Sequence, residues 1–135
     1  MRVVVDTGII LAAFMNKEGS PRQVINLWID KKYELVTSDW QLEEIKEASR
    51  YERVKERTTP HEIGTFINRL NRLAIVLDDI PDVDYSPDPN DNPILATAIA
   101  GKAFYLVSGD KKDLVALERV EGIEILTPAQ FVELF

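Results

Sequence analysis

The sequence predicts an α/β fold: a single three-layer domain over residues 1–135, with a parallel twisted sheet of about five strands and helices on both faces. Short apolar segments alternate with amphipathic ones along the chain, as strands alternate with helices around a parallel sheet. Several of these apolar segments are continuous, which is typical of strands buried on both faces. A chain of 135 residues can bury about two-thirds of its unfolded surface, enough for one core.

The apolar segments define the order of the elements. We expect strands at residues 2–5, 33–37, 74–77, 104–107 and 123–126. Helices are expected between and after them, at 8–15, from Ser20, from Asp39, from Pro60, at 93–100, at 111–119 and from Pro128 to Phe135. Four of the helix starts carry Gln or Glu three residues after a hydroxyl residue, the pattern of a capping box; these hydroxyl residues are Ser20, Ser38, Thr59 and Thr127.

Residues 88–110 form the stretch around which the chain is organised. Asn92 followed by Pro93 has the form of a helix N-cap with proline at the first helical position. The helix that follows is apolar on nearly every side, which indicates burial, and Gly101 is a typical residue for its end. The ends of these buried elements carry three aspartates, Asp88, Asp91 and Asp110.

Composition limits the classes of function. The net charge is −7, whereas a protein that coats nucleic acid is normally basic. There is no cysteine, so disulfides, thiolate metal sites and a cysteine nucleophile are excluded. The longest apolar runs are too short to span a bilayer, and Asp6 interrupts any signal-peptide pattern. We therefore expect a soluble cytoplasmic protein.

Four acids from separate segments are predicted to meet at one edge of the sheet. Ligands of open parallel sheets bind beyond the carboxyl ends of the strands, and Asp6 and Asp110 follow two strands there. Glu44 lies one turn into the helix after the second strand, and Asp91 begins the central helix. An all-oxygen cluster suits Mg²⁺ or Mn²⁺. Taken singly, Asp91 could serve the helix dipole, Asp110 a cap and Glu44 the surface charge.

Four stretches of the chain resemble PIN-domain proteins, a family that includes the toxin ribonucleases of bacterial and archaeal toxin–antitoxin pairs. These are Val3-Val-Val-Asp6-Thr7, Glu43-Glu44-Ile45, Asp88-Pro-Asn-Asp91-Asn92 and Ser108-Gly-Asp110-Lys-Lys-Asp113-Leu114. The resemblance implies a metal-dependent endoribonuclease, an antitoxin partner and a homodimer. It also implies an acidic quartet of Asp6, Glu44, Asp91 and Asp110, with Asp88 and Asp113 as supporting acids and Ser108 as a hydroxyl that orients the site.

The chemistry of phosphodiester cleavage agrees with such a site. One or two divalent ions neutralise charge on the phosphate and activate a water for in-line attack. We expect Asp6 and Asp91 to ligate Mg²⁺ or Mn²⁺ directly, and Glu44 and Asp110 to bind it directly or through water. The only histidine, His61, lies in the first turn of a surface helix and is not expected to act as ligand or base.

Basic residues near two of the acids are candidates for contact with RNA phosphates. The alternative is a solvated face, because Glu47, Glu52 and Glu56 are interleaved with the first group. The candidates are Lys46, Arg50, Arg53, Lys55 and Arg57 after Glu44, and Lys111 and Lys112 after Asp110.

One departure from the PIN pattern supports a second hypothesis. Gly8 stands two residues after Asp6, where such proteins often carry Asn, so the edge of the site has one side-chain amide fewer. The second hypothesis is a metal- or RNA-binding module of the same fold that has lost catalysis. Gly8 also disfavours an aspartyl phosphatase, which needs an acid at that position.

Overall fold

A six-stranded sheet lies at the centre of the computed structural model, which describes residues 1–135, and seven α-helices surround it. The strands are β1 (Arg2–Val5), β2 (Glu34–Ser38), β3 (Ile75–Leu77), β4 (Tyr105–Val107), β5 (Arg119–Val120) and β6 (Ile123–Leu126). The helices are α1 (Thr7–Met15), α2 (Ser20–Ile29), α3 (Asp39–Ala48), α4 (Glu52–Lys55), α5 (Pro60–Leu73), α6 (Asn92–Ala100) and α7 (Pro128–Val132), with 3-10 turns at Pro89–Asp91 and Val115–Leu117. The predicted α/β class is confirmed. No helix combines the length and apolar character that crossing a membrane requires.

The order of the strands places a topological switch point between β1 and β4. The order is β3-β2-β1-β4-β6-β5, and every neighbouring pair is parallel except β5 with β6. The chain leaves β1 for β2 and β3 on one side and returns through α6 to β4 on the other. The crevice beyond the carboxyl ends of β1 and β4 is therefore where a ligand of such a sheet binds.

Helices cover both faces of the sheet, as predicted. Val3 and Val5 of β1 belong to a core cluster with side chains of α1, α2, α3, α5 and α7. Val4, between them, belongs to a second cluster with side chains of α6 and of the segment that leads into β6. All three valines have no exposed surface, because successive side chains of a strand point to opposite faces. This double burial explains the continuous apolar run.

The prediction of about five strands missed β5, which forms a short hairpin with β6. Val120 pairs with Ile123, and only Glu121 and Gly122 connect them, with φ of +47° and +83°. Positive φ at both residues of a two-residue loop matches the twist of a β-hairpin. The strand before this loop is only two residues long, too short to show an alternating pattern in the sequence.

The helix predicted at 111–119 is wrong. The Asp110 carbonyl accepts hydrogen bonds from the backbone N–H groups of both Leu114, at 3.2 Å, and Val115, at 2.8 Å. The segment therefore turns around Asp110 and contains only the 3-10 turn Val115–Leu117. Leu114 has no exposed surface and anchors the segment in the core under α6.

The predicted helix caps differ in outcome. Thr127 forms the complete capping box with Gln130, while Ser38 and Thr59 each accept the expected backbone hydrogen bond without the reciprocal one. The prediction at Ser20 is wrong, because α2 begins at Ser20 and its N-cap, Gly19, has no side chain.

At the central helix α6, the predicted roles of Asn92 and Gly101 change. Asn92 is the first helical residue rather than the cap, and its Oδ1 accepts from the backbone N–H of Tyr85 and Ser86 at 3.1 and 3.0 Å. Gly101 ends the helix with φ of −81°, so it needs no left-handed conformation. A Cβ there would lie 2.5 Å from Val36 Cγ1. Gly101 is therefore required by the close approach of α6 to β2.

Candidate metal centre

Asp6 joins β1 to α1 through its backbone and leaves its carboxyl group free for the site. Its N–H donates to the Val107 carbonyl of β4 at 2.9 Å, and its carbonyl accepts from Ile9 and Ile10 at 3.0 and 3.1 Å. The side chain makes no cap hydrogen bond to α1. Instead Asp6 Oδ2 accepts a hydrogen bond from Ser108 Oγ at 2.9 Å.

Ser108 links the ends of β1 and β4. It has no exposed surface, and its Oγ accepts from the Asp110 backbone N–H at 3.0 Å. That N–H can only donate, so the hydroxyl proton of Ser108 is directed at Asp6. Ser108 thereby fixes the Asp6 carboxylate relative to the backbone of Asp110. This is the placement expected of a hydroxyl that orients the site.

The Asp110 side chain combines a local structural contact with a contact toward Asp91. Its Oδ1 accepts a hydrogen bond from the Asp113 backbone N–H at 3.0 Å. This is the local contact expected if Asp110 serves as a cap. Its carboxyl group also lies beside the carboxyl group of Asp91, and its negative charge acts on that group.

Asp91 ends the 3-10 turn Pro89–Asp91 and precedes α6, but its side chain makes no cap hydrogen bond to that helix. Asp91 Oδ2 instead accepts from Ser86 Oγ at 3.3 Å. Burial, the adjoining carboxyl group of Asp110 and the negative charges of Asp110 and Asp88 raise the pKa of Asp91 to about 7, although Ser86 acts in the opposite direction. A carboxyl group that titrates near neutral pH beside other acids is typical of a functional site.

Glu44 and Asp6 form the other half of the site. Burial raises the pKa of Glu44, and the negative charge of Asp6 contributes, against a hydrogen bond from the Thr7 side chain. Burial also raises the pKa of Asp6, and the charge of Asp110 adds to it, against hydrogen bonds from Ser108 and the Thr7 backbone. The charge of one acid acts on the next in the order Glu44, Asp6, Asp110, Asp91, and these four acids are called the row of acids.

The tightest group of acids lies at the Asp91 end of this row. Asp88, Asp91 and Asp113 each offer a carboxylate oxygen, and these oxygens lie within 4.8 Å of one another. The structure thus brings the two predicted supporting acids against Asp91. The four acids of the row do not gather this closely around one point, so the row is longer than a single compact cluster. Asp88 Oδ1 also accepts from the Asn90 backbone N–H at 3.0 Å, which holds the turn before Asp91.

No basic side chain neutralises this row. The salt bridges of the protein join Lys17 to Glu62, Lys46 to Glu43, and Arg119 to Glu124. Neighbouring carboxylates without a counter-charge raise each other's pKa unless a cation binds. The donor set consists entirely of oxygen. Burial is the main cause of the raised pKa values of Asp6, Glu44 and Asp91, and the charges of neighbouring carboxylates add to it. These residues therefore fit a hard divalent ion such as Mg²⁺ or Mn²⁺.

Sequence reasoning gave no role to two hydroxyl side chains beside the acids. Ser86 is buried in the proline-rich loop, donates to Asp91 and accepts from the Asp88 backbone N–H at 3.2 Å. Thr7 is buried at the start of α1 and contacts Glu44. Ser86-Pro87-Asp88 has the composition of an ordinary turn, so nothing in the sequence distinguished Ser86.

The candidate RNA-binding residues fall into two places. Lys111 and Lys112 are exposed directly after Asp110, beside the row of acids. Lys46 lies two residues after Glu44 on α3, so the two side chains point to different sides of the helix. The other exposed candidates are Arg50, Arg53, Lys55 and Arg57.

Lys46 and Arg50 line a groove of about 530 Å³ between the end of α3 and α5, together with Lys55. No carboxylate lines this groove, although Lys46 pairs with Glu43 at 3.2 Å at its edge. The interleaved glutamates therefore do not cancel the positive charge inside it.

Comparisons with known proteins agree with this architecture. The model of the PIN domain matches residues 2–112 of the chain, which include β1 to β4 and every acid of the row. The chain is also similar to the uncharacterized protein MJ1680 of Methanocaldococcus jannaschii. The two are 24% identical over 144 aligned positions, which cover 100% of this chain and 92% of that protein. The match to the PIN domain shows that the chain belongs to the PIN-domain family, whose members are generally nucleases that typically bind divalent metals.

Proposed function

We propose that this protein is an endoribonuclease that depends on Mg²⁺ or Mn²⁺ and hydrolyses phosphodiester bonds of single-stranded RNA. The observation that carries the proposal is the uncompensated row of carboxyl groups at the topological switch point. Such a row is costly to maintain without a cation, since each charge raises the pKa of the next. Its position between β1 and β4 is where the fold binds ligands.

Each residue of the row has a proposed task. A bound divalent ion would neutralise the phosphate and activate the attacking water. Asp6 and Asp91 would hold the ion directly, and Glu44 and Asp110 would hold it directly or through water. Ser108 keeps the Asp6 carboxylate oriented through the 2.9 Å hydrogen bond. Supporting contacts come from Asp88 and Asp113, which adjoin Asp91.

The basic residues would position the RNA backbone. Lys111 and Lys112 adjoin Asp110 and could contact the phosphates next to the one that is cleaved. The groove of Lys46 and Arg50 lies on another side of α3, so it would contact RNA farther along the strand. Arg53, exposed on α4, is a further candidate for such a contact. Such contacts add affinity without sequence specificity. Lys111→Ala with Lys112→Ala should therefore raise KM and weaken its dependence on salt.

The decisive experiment is a cleavage assay on single-stranded RNA with Mn²⁺, with Mg²⁺ and with a chelator. We expect cleavage that the chelator abolishes and added metal restores. The matched variants are Asp91→Asn, which should lower the rate by orders of magnitude, and Asp79→Asn. Asp79 is an exposed acid at the start of the same loop, so its variant should cleave at the normal rate. Products with a cyclic phosphate would contradict the proposal, because they imply attack by the ribose 2′-hydroxyl.

We propose further that the enzyme is the toxin of a toxin–antitoxin pair, acts in the cytoplasm as a homodimer and is inhibited by an antitoxin protein. Induced expression should then arrest growth, whereas expression of Asp91→Asn should not. Light scattering during size-exclusion chromatography measures the oligomeric state. Normal growth during expression of an active nuclease would reject the toxin role but leave the enzymatic proposal intact.

The second candidate is a catalytically inactive metal- or RNA-binding module, and Gly8 is the observation that favours it. Gly8 is exposed in the first turn of α1, next to Asp6 and Thr7, and supplies no side chain to the site. This candidate predicts metal binding without cleavage of any RNA.

A further inference from the structure

The side chain of Gln41 on α3 is almost completely buried, with 1% of its surface exposed. Its Nε2 donates to the Val5 carbonyl at 2.6 Å, and its Oε1 accepts from Thr37 Oγ1 at 2.7 Å. Burying an amide in a core is costly unless both ends find partners. The structure satisfies both ends, and no buried side-chain polar atom in the protein lacks a hydrogen bond.

The orientation of this amide follows from its partners. The Val5 carbonyl can only accept, so the NH₂ group of Gln41 must face it, and Oε1 must face Thr37. Val5 is the last residue of β1, directly before Asp6, and Thr37 lies near the end of β2. The backbone pairing of β1 with β2 runs only to Val4 and Val36. Gln41 therefore bridges the two strands one residue beyond their last paired position.

A second contact connects Gln41 to the other end of the acidic row. Gln41 Nε2 also approaches Thr7 Oγ1 at 3.5 Å, and the Thr7 side chain lies beside the Glu44 carboxylate, whose pKa it lowers. The directions are consistent, because Thr7 can accept from the amide and donate its proton to the carboxylate. Glu44 is three residues after Gln41 on the same helix. One amide thus contacts the backbone before Asp6 and the hydroxyl beside Glu44.

We propose that Gln41 is a positioning residue of the metal site: it fixes the end of β1 and the Thr7 hydroxyl so that Asp6 and Glu44 face one bound ion. The inference rests on the proposed function of this row of acids. Gln41 itself touches neither the ion nor the substrate. It acts as outer partners of metal ligands do, by fixing the ligands before the ion arrives.

The test is the dissociation constant for Mn²⁺ of the variant Gln41→Met, measured from the electron paramagnetic resonance signal of free Mn²⁺. Met has a similar length and packs in the same space, but it cannot bridge Val5 and Thr37. We expect binding to weaken about tenfold, the order found when outer partners of metal ligands are removed. The cleavage rate at saturating Mn²⁺ should fall as well.

Controls separate positioning from general stability. Ile67→Val and Leu70→Ala shorten buried side chains of α5 that take no part in these hydrogen bonds. The melting temperature of Gln41→Met should lie between those of these two control variants. Both controls should bind Mn²⁺ as the wild type does. If Gln41→Met melts earlier but keeps the wild-type dissociation constant, Gln41 is only a structural residue and the inference is overturned.

A milder variant covers the case in which Gln41→Met does not fold. Thr37→Val keeps the shape of residue 37 and removes only the hydroxyl that holds Oε1, so it should weaken Mn²⁺ binding less than Gln41→Met. A folded Thr37→Val protein with unchanged binding would count against the inference. Failure of the proposed function is a different result, because the wild-type protein itself would then bind no Mn²⁺ or, as the second candidate predicts, would bind it without cleaving RNA.

Discussion

At the scale of single residues, the acids at the switch point differ from ordinary surface acids in what they contact. Asp6 and Asp91 both stand directly before a helix, yet neither side chain caps it. Hydroxyl groups, Ser108 and Ser86, hold their carboxylates instead. Each serine hydroxyl bonds one carboxylate oxygen, Oδ2, and Oδ1 of Asp6 and Asp91 forms no side-chain hydrogen bond with another residue's hydroxyl.

This distinction makes the variant Asp91→Asn informative about stability as well as activity. Replacing Asp91 with the uncharged amide removes one repelling charge beside Asp110 and Asp88. We expect the melting temperature of the metal-free protein at neutral pH to hold or rise, and the increase caused by Mn²⁺ to shrink, because an ion that binds only the folded state stabilises it. Melting curves with and without Mn²⁺ measure both effects. An unchanged Mn²⁺ effect together with an unchanged cleavage rate would show that Asp91 does not belong to a metal site.

Gly8 offers a test of the inactive-module alternative. A Cβ added at Gly8 meets no atom within 4 Å, so Gly8→Asn should fold without strain and gain up to about 0.5 kcal/mol from its better helix propensity. If the missing amide limits catalysis, Gly8→Asn should raise the cleavage rate. The matched control is Gly8→Ala, which adds the Cβ without the amide. Equal rates for both variants would show that position 8 does not limit the reaction.

At the scale of elements, the sequence predicted what depends on burial and missed what depends on tertiary partners. The apolar runs of β1 and β4 indicated central strands because both faces of each are covered. The placement of Asp6 and Asp110 at one edge of the sheet followed from the predicted ends of these strands. The hairpin of β5 was missed because its two residues are too short to show a pattern.

The side-chain partners of polar residues were equally hidden. Gln41 was predicted to cap its own helix, but its amide turns inward to Val5 and Thr37 instead. Asn92 was predicted to cap α6 and holds the loop before it. The Gln41 amide bonds a carbonyl 36 residues away, and Asn92 bonds backbone N–H groups seven and six residues before it in an irregular loop. A capping pattern of three residues reveals neither kind of partner.

The packing of α6 against β2 gives a prediction at this scale. A Cβ at Gly101 would lie 2.5 Å from Val36 Cγ1 and 3.1 Å from the Thr97 carbonyl. Gly101→Ala should therefore force α6 away from the sheet and lower the free energy of unfolding by about 1–3 kcal/mol, as overpacking does. Chemical denaturation measures this loss.

The control is Gly64→Ala in the middle of α5, where an added Cβ meets nothing within 4 Å. That change should raise the free energy of unfolding by about 0.5–1 kcal/mol, since alanine favours a helix more than glycine does. A neutral Gly101→Ala would mean that α6 can shift without cost. The position of Asp91 at the start of that helix would then be less firmly fixed than the packing indicates.

At the scale of the whole molecule, the row of acids links stability to both pH and metal. The pKa of Asp91 rises from 3.8 to about 7 on folding, and the pKa values of Asp6 and Glu44 also rise. Between pH 3.8 and about 7, Asp91 holds a proton in the folded protein that it has released in the unfolded chain. The contribution of Asp91 to stability is therefore fully present below about pH 4 and is lost as the pH rises through about 7.

Metal should reverse this trend, because the ionised carboxylates that destabilise the free protein are the form that binds the ion. We expect the Mn²⁺-induced rise in melting temperature to be larger at pH 7.5 than at pH 5.5, and the metal-free protein to lose stability between those two values. Wild type and Asp91→Asn should be compared at each pH, since the difference between them removes the contribution of all other acids. If the two proteins lose stability in parallel from pH 5.5 to 7.5, the proton held at Asp91 is not the cause. A Mn²⁺ effect that does not grow with pH would likewise place the ion away from these carboxylates.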